Sequence, residues 1–475
     1  MRLLSERTAR TVAGRASAGR IVLYSTFFMV LVGWLCGTGG GALAAALSIG
    51  LLMLVALLTR FERAFLLLGA LLPIYEVGPI PSSAFLIARI VLIAAIVLRD
   101  VVASRMHLYK LPQRRWWLYA LALVGTAVVH PSGVAAYFAV TFLAMALLGN
   151  RIASTSDYRL LFTGFRIGVF LSAIALLLGV SGLLELSDVT QTRGHPGLSY
   201  RSTAFAYEAA IVLVMWFWWS SPRQTPLRKL AWIVEGVVVG AALLGSGGRG
   251  GLLALVVAML VLPLSAGKVK ATLRFTGIAA LGLAIVYASG LSTLSIDRLF
   301  PTDRDRRIAV QDQYGSGRGD LYRASLAQAR ENPLVGSGFN DSSLRALSGG
   351  GGPADGTNAT VAGGQRSAHL LLLALFIAGG VGLAVSALLV LAEAARNSYA
   401  IASRSPRESW WIAAGIVIYL VNSLLEVGGG LLGVEGVLLF SCLVRLAVRE
   451  GVAGKLPLVG ARTPRRRAHS LSPGR

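Results

Sequence analysis

Arginines and one histidine stand at the ends of apolar runs, where a fork of N–H donors or a titrating ring can act on a ligand. Arg201 lies in Tyr-Arg-Ser-Thr-Ala-Phe-Ala-Tyr-Glu (200–208), and Arg249 in Gly-Ser-Gly-Gly-Arg-Gly-Gly (245–251). Arg318 closes Gly-Ser-Gly-Arg (315–318), Arg323 follows shortly after, and Arg366 lies just before His369. A guanidinium presents paired donors that match phosphate oxygens. Glycines around Arg249 and Arg318 would let main-chain amides approach the same anion. The chemistry these residues suit is capture of a diphosphate, as on a lipid carrier, by Arg249, Arg318 and Arg201, with Arg323 and Arg366 in support. His369 is the candidate general base, because an imidazole titrates near neutral pH and can accept a proton from a sugar hydroxyl. Each has a plainer reading beside it. Arginines at a bilayer edge also anchor helices to headgroups, and His369 also suits the first turn of an interfacial helix.

A second set of charges falls inside the apolar runs themselves: Arg89, Glu208, Glu235, Glu426 and Glu435. Charges in such runs are costly and mark either internal pairing or a functional site. Arg89 suits a carboxylate or a lipid phosphate as partner, and Glu208 is near enough in sequence to Arg201 to pair with it. His130 and His195 sit beside prolines and read as structural, while His107 and His469 lie in basic surroundings and are given no role. No His-Glu-x-x-His or similar metal-ligand spacing occurs, and no metal or cofactor is expected. Gly-Ser-Gly-Arg-Gly-Asp (315–320) lacks the Gly-Lys-Ser/Thr of a nucleotide P-loop and no strand precedes it.

The elements that must position these residues are helices. Hydrophobic residues make up 55% of the 475, and the apolar runs do not alternate as barrel strands would. The fold class expected is an all-α polytopic transmembrane bundle. Fourteen spans are predicted, with twelve possible if short ones merge, at 21–37, 41–59, 64–79, 83–98, 116–130, 133–149, 166–184, 204–220, 230–245, 251–266, 274–291, 368–392, 410–427 and 431–448. The organisation is a basic tail at 1–20, helices 1–11 over 21–291, a polar segment at 292–367, helices 12–14 over 368–448 and a basic tail at 449–475. Within 292–367, Asp320–Arg330 reads as a short helix stopped by Pro333 and Gly336.

Charge sets the orientation. The chain carries 45 Lys and Arg against 22 Asp and Glu, a formal net charge of +23. Most of the basic residues fall in alternate connecting segments and in the two tails. That is the positive-inside pattern rather than a nucleic-acid surface. It places both tails in the cytoplasm and 292–367, with Arg201 and Arg249, on the extracytoplasmic side. The first twenty residues lack a cleavable signal pattern. Cys36 and Cys442 lie in apolar runs far apart, which excludes a disulfide framework.

Several of these elements, in their order, resemble the O-antigen ligase/polymerase family of bacterial integral-membrane glycosyltransferases. They are Arg201 in an Arg-x-x-x-Phe-x-x-Glu stretch, Gly-Gly-Arg-Gly (247–250) at a span junction and Ser-Gly-Arg (316–318). Asn-Pro-Leu-Val-Gly-Ser-Gly (332–338) follows, then a histidine leading into an apolar span with Gly-Gly-Val-Gly (379–382). The resemblance covers about 190–390. It departs from the family at His369, which Leu370 follows where the family has asparagine, and at Gly-Gly-Arg-Gly, where the family often has Ser-Arg-Gly. The resemblance implies transfer of a glycan from an undecaprenyl- or similar polyprenyl-diphosphate carrier to an acceptor hydroxyl of a glycan, lipid or protein. The reaction would occur at the outer face of the bacterial cytoplasmic membrane, without a metal ion or nucleotide sugar. Arg249, Arg318 and Arg201 would hold the diphosphate and His369 would deprotonate the acceptor. Two other classes stand beside it: a transporter or flippase of lipid-linked sugars, which many spans and intramembrane Arg89 suit, and a non-catalytic scaffold for envelope assembly, which inert Arg249 and His369 would support.

Overall fold

The computed structural model describes residues 62–75, 82–180, 202–219, 225–246, 248–265, 267, 269–270, 273, 276–277, 326–339, 370–425 and 430–453. Regular structure among them is entirely helical. In chain order the helices are α1 (Glu62–Leu71), α2 (Ser82–Val102), α3 (Arg114–Val129), α4 (Gly133–Ser154), α5 (Tyr158–Val180) and α6 (Ser202–Trp218). They continue with α7 (Pro226–Gly245), α8 (Arg249–Ser265), α9 (Leu371–Arg404), α10 (Trp410–Leu425) and α11 (Val434–Ala453). Four stretches, Gly133–Ser154, Tyr158–Gly179, Leu371–Arg404 and Arg407–Leu425, are long and apolar enough to cross a membrane by length and composition. The expected spans at 21–37 and 41–59, most of 274–291 and most of 292–367 lie outside the described residues.

The element starts follow local chemistry. Ser132 caps α4 by accepting the Ala135 N–H on its Oγ at 3.1 Å. Pro226 opens α7, where its missing N–H costs nothing. Three boundaries depart furthest from the apolar pattern. The run expected at 64–79 stops being helical at Leu71, because Pro73 offers no N–H and disfavours helical backbone at the residue before it. The run expected at 166–184 begins at Tyr158 instead. Arg166 therefore lies well inside α5 rather than at its border. It donates twice to Glu235 on α7, at 2.9 and 2.5 Å, and this pairing lets a charge sit in the helix interior. The run expected at 368–392 extends to Arg404 and is interrupted at Gly379 and Gly380.

Close packing explains several glycines. α1 crosses α5 where a methyl at Gly69 would stand 2.9 Å from the Phe165 nitrogen. A methyl at Gly164 would stand the same distance from that of Ala70. Gly164 and Gly168 are spaced four apart, so one face of α5 lets the two backbones approach. An aromatic core joins α3, α4, α10 and α11: Trp116 stacks on Phe142 (5.7 Å), Tyr119 meets Phe142 edge-on (4.7 Å) and Phe440 packs between Trp116 and Tyr419. Cys442 is buried and free.

One end of the bundle is closed by ions. Arg151, near the end of α4, bonds both Asp100 at the end of α2 and Asp157 ahead of α5; its Nη2 reaches Asp100 Oδ1 at 2.8 Å. Arg151 and Asp100 are fully buried. The Tyr109 hydroxyl donates to Asp100 at 3.0 Å, and burial followed by that carboxylate pushes the phenol up. Arg449 of α11 donates to the Ala153 carbonyl at 3.0 Å and lies over the Tyr158 ring.

Candidate functional site

The other end of the bundle gathers those motifs of the sequence that fall among the described residues. α6 and α8 both start there and run side by side in the same direction. At Gly251 the approach is to the neighbouring main chain: a methyl there would stand 2.5 Å from the Ala206 carbonyl oxygen, and no larger side chain fits without separating the helices. At Gly250 a methyl would meet the Tyr207 ring, 3.0 Å from Cζ, a side chain that can turn aside. Arg249 is the first residue of α8, and the first helical bond, Leu252 N–H to Gly248 O at 3.3 Å, leaves the amides before it outside the helix ladder. Ser246 ties the approach: its Oγ accepts from the Gly248 N–H at 3.2 Å and donates to Leu243 O at 2.7 Å. A helix start of this kind carries positive partial charge, which favours an anion. The Arg249 side chain lies outside the described residues, as do Arg201, Arg318, Arg323, Arg366 and His369.

Glu208 follows Tyr207 on α6 and turns into the bundle. Its Oε2 is sealed from solvent and has no hydrogen-bond partner among the described residues. Glu208 lies within electrostatic reach of Arg89 and Glu435. Arg89, on the first third of α2, is buried and has each of its three nitrogens engaged. Nε donates to Leu71 O (3.1 Å), Nη2 to Ile74 O (2.6 Å) and Nη1 to Glu435 on α11. The two carbonyls belong to the turn where α1 ends at Pro73, so the arginine satisfies groups that a helix ending leaves open. Its guanidinium also lies 4.6 Å from the centre of the Tyr75 ring. Tyr75 bonds Glu435, and Tyr137 of α4 and Tyr419 of α10 are within reach of the same carboxylate. One guanidinium thus stands against two carboxylates and three phenols drawn from six parts of the chain. Among the described residues, no three His, Cys, Asp or Glu side chains are gathered in a way that could hold a metal ion.

The second feature at this end joins two motifs that lie far apart in sequence. Residues 326–331 form a turn and a half of helix, and 332–339 then press into the interruption of α9. Ser337 N–H donates to Ile377 O at 2.7 Å, Gly338 N–H to Ala378 O at 2.9 Å, and Val381 N–H to Pro333 O at 2.8 Å. Gly380 has φ 67 and ψ −165, a conformation essentially confined to glycine. Phe339 packs on Phe138 with ring centres 4.8 Å apart, and Tyr137 of the polar cluster touches Phe138 in turn. Asn-Pro-Leu-Val-Gly-Ser-Gly and Gly-Gly-Val-Gly are therefore two halves of one contact.

Sequence reasoning singled out Arg89, Glu208 and Glu435 as charges in apolar runs but could not pair them. Arg89 and Glu435 are 346 positions apart. It missed Tyr75, Tyr137 and Tyr419 altogether, since a tyrosine in an apolar run carries no signal apart from its neighbours. No protein-family model matches the chain, and no curated protein matches it.

Proposed function

We propose that the protein transfers a glycan from a polyprenyl-diphosphate carrier to an acceptor hydroxyl at the extracytoplasmic face of a bacterial cytoplasmic membrane, in the manner of an O-antigen ligase or polymerase. The observation that carries this reading is the contact of Gly250 and Gly251 with Ala206 and Tyr207. It sets the start of the Arg249 helix against the helix that Arg201 precedes and that carries Glu208. The starts of two helices far apart in sequence, one following Arg201 and the other beginning at Arg249, thereby meet at one end of the bundle, where the docked 332–339 segment and the start of α9 also lie.

In this reading Arg249, Arg318 and Arg201 hold the diphosphate. The acceptor hydroxyl gives its proton to His369, and its oxygen attacks the anomeric carbon. The bond from that carbon to the diphosphate oxygen breaks, and the electron pair leaves with the diphosphate. Fixed guanidinium charge and helix-start amides stabilise the leaving group as its charge develops. Large exposed apolar side chains such as Leu98, Val128, Val140 and Leu227 support a lipid-facing exterior for the bundle. The topology that goes with this reading has fourteen spans, both tails in the cytoplasm and 292–367 outside. Attaching an impermeant label at introduced cysteines in 292–367 and in the tails of intact cells tests it: labelling of the tails and not of 292–367 would refute it.

The activity test is purified protein with a polyprenyl-diphosphate glycan and an acceptor fraction. Release of polyprenyl diphosphate together with glycan-bearing acceptor supports the reading; carrier that stays intact removes it. A transporter of lipid-linked sugars is the second reading, favoured by the charged cluster of Arg89, Glu208 and Glu435 between helices. Movement of a labelled lipid-linked sugar across vesicles, undiminished by His369→Ala, would select it.

A further inference from the structure

The interruption of α9 breaks the helix ladder, and residues 333–338 take up three of the groups it frees. In a continuous helix Val381 N–H would donate to Ile377 O, and Gly382 N–H to Ala378 O. At the break, Ser337 and Gly338 supply donors to those two carbonyls, and Pro333 supplies an acceptor to Val381 N–H. The backbone of 333–338 thus substitutes for the missing turn. Apolar surroundings tolerate irregular backbone only under such substitution. The steric fit is equally close: a methyl at Gly336 would stand 2.5 Å from the Ala378 carbonyl carbon, and one at Gly380 2.7 Å from the Val335 nitrogen. The far side of the segment is tied to the α3–α4 turn. His130 Nε2 donates to Val335 O at 3.1 Å, Ser132 Oγ donates to Phe339 O at 3.4 Å, and Phe339 is buried.

The consequence falls on the short half-helix Leu371–Ala378. Its direction is uncoupled from that of the long half beyond Gly380, and its carboxyl end is held by Ser337 and Gly338. Leu370, which precedes it, directly follows His369. We propose that residues 332–339 are a positioning element for the transfer reaction: by fixing the tilt of Leu371–Ala378 they hold the half-helix that directly follows His369 and Leu370 in sequence. This rests on the transferase reading for the role of His369, but the anchoring itself can be measured without turnover.

The experiment uses the full chain with Cys36→Ala and Cys442→Ala, and a reporter thiol from Ala329→Cys, whose native side chain is 2% exposed beside the docked segment. Maleimide labelling, donor KM and kcat are measured with native Gly380, with Gly380→Val and with His130→Ala. Gly382→Ala serves as control, since a methyl there meets open space. Labelling is expected to be slow in the native background and in the control. It should rise about tenfold or more in Gly380→Val, with kcat falling about a hundredfold while donor KM holds, since misplacing a reacting group by about 1 Å costs that much. His130→Ala should move both readouts in the same direction by less, and covers the case in which Gly380→Val does not fold. Faster labelling with unchanged kcat overturns the positioning role. Unchanged labelling in both variants overturns the anchor. If the unaltered protein releases no polyprenyl diphosphate, the transferase reading and His369's part in it fall, and labelling alone decides whether 332–339 holds the half-helix.

Discussion

Arg89 on α2 is bonded to Glu435 on α11, and the same guanidinium closes the turn after α1 through Leu71 and Ile74. One side chain therefore ties together three parts of the bundle just beneath the end where the motifs meet. With every nitrogen committed to protein acceptors, Arg89 acts here as a clamp, and its removal should be felt first in stability.

Arg89→Leu leaves Glu435 without its countercharge in a buried setting and should cost about 3–5 kcal/mol. Arg89→Leu with Glu435→Leu removes both charges and should recover part of that loss; the remainder is the Leu71 and Ile74 carbonyls left without their donor. Thermal unfolding in detergent reads both. A double variant as unstable as the single one would show that the pair is not what holds the three parts together.

Gly251→Val drives α8 away from Ala206 and should destabilise the chain by about 1–3 kcal/mol, the usual cost of overpacking. Because it also displaces the start of the Arg249 helix, glycan transfer should fall by more than stability alone accounts for. Gly240→Ala on α7, where a methyl meets nothing within 4 Å, should leave transfer unchanged and stabilise by up to about 1 kcal/mol. Equal transfer in the two variants, scored per folded molecule, would separate the α6–α8 contact from the chemistry.

The ion group at the opposite end makes the reverse prediction. Asp100 lies about 16 Å along α2 from Arg89, at 1.5 Å per residue. Asp100→Asn weakens the hold on Arg151 and should cost about 3–5 kcal/mol, as for breaking any buried pair. Tyr109→Phe removes one hydrogen bond to Asp100 and should cost about 1 kcal/mol. Neither should alter the rate per folded molecule at low temperature. A specific loss of turnover in Tyr109→Phe would place function at this end instead.

Helix identity was legible in the sequence because apolar runs bounded by Gly, Pro and basic residues have few alternatives. Where the pattern misplaced a boundary, a pairing or a local rule decided. Arg166 looked like a border residue because its partner, Glu235, is distant in sequence. Pro73 ends α1 by a rule that hydropathy does not carry. The interruption of α9 was visible only as Gly379-Gly380, and its partner segment only as Asn-Pro-Leu-Val-Gly-Ser-Gly. That the two fit together is a fact of backbone donors and acceptors, which no side-chain pattern records. The tyrosines around Glu435 were illegible for the same reason: they matter through neighbours that folding supplies.

In the proposed reaction Arg249, Arg318 and Arg201 hold a diphosphate while His369 activates an acceptor. The most direct measurement is polyprenyl-diphosphate release from a lipid-linked glycan in the presence of acceptor, compared among the unaltered protein, Arg249→Ala and His369→Ala at equal folded amounts. Stoichiometric release and glycan transfer are expected of the unaltered protein, with loss of about 10²–10³ in rate for Arg249→Ala, the scale of deleting a transition-state donor. His369→Ala should bind the donor normally and fail to turn it over. Undiminished release by both variants, or none by the unaltered protein, would contradict it.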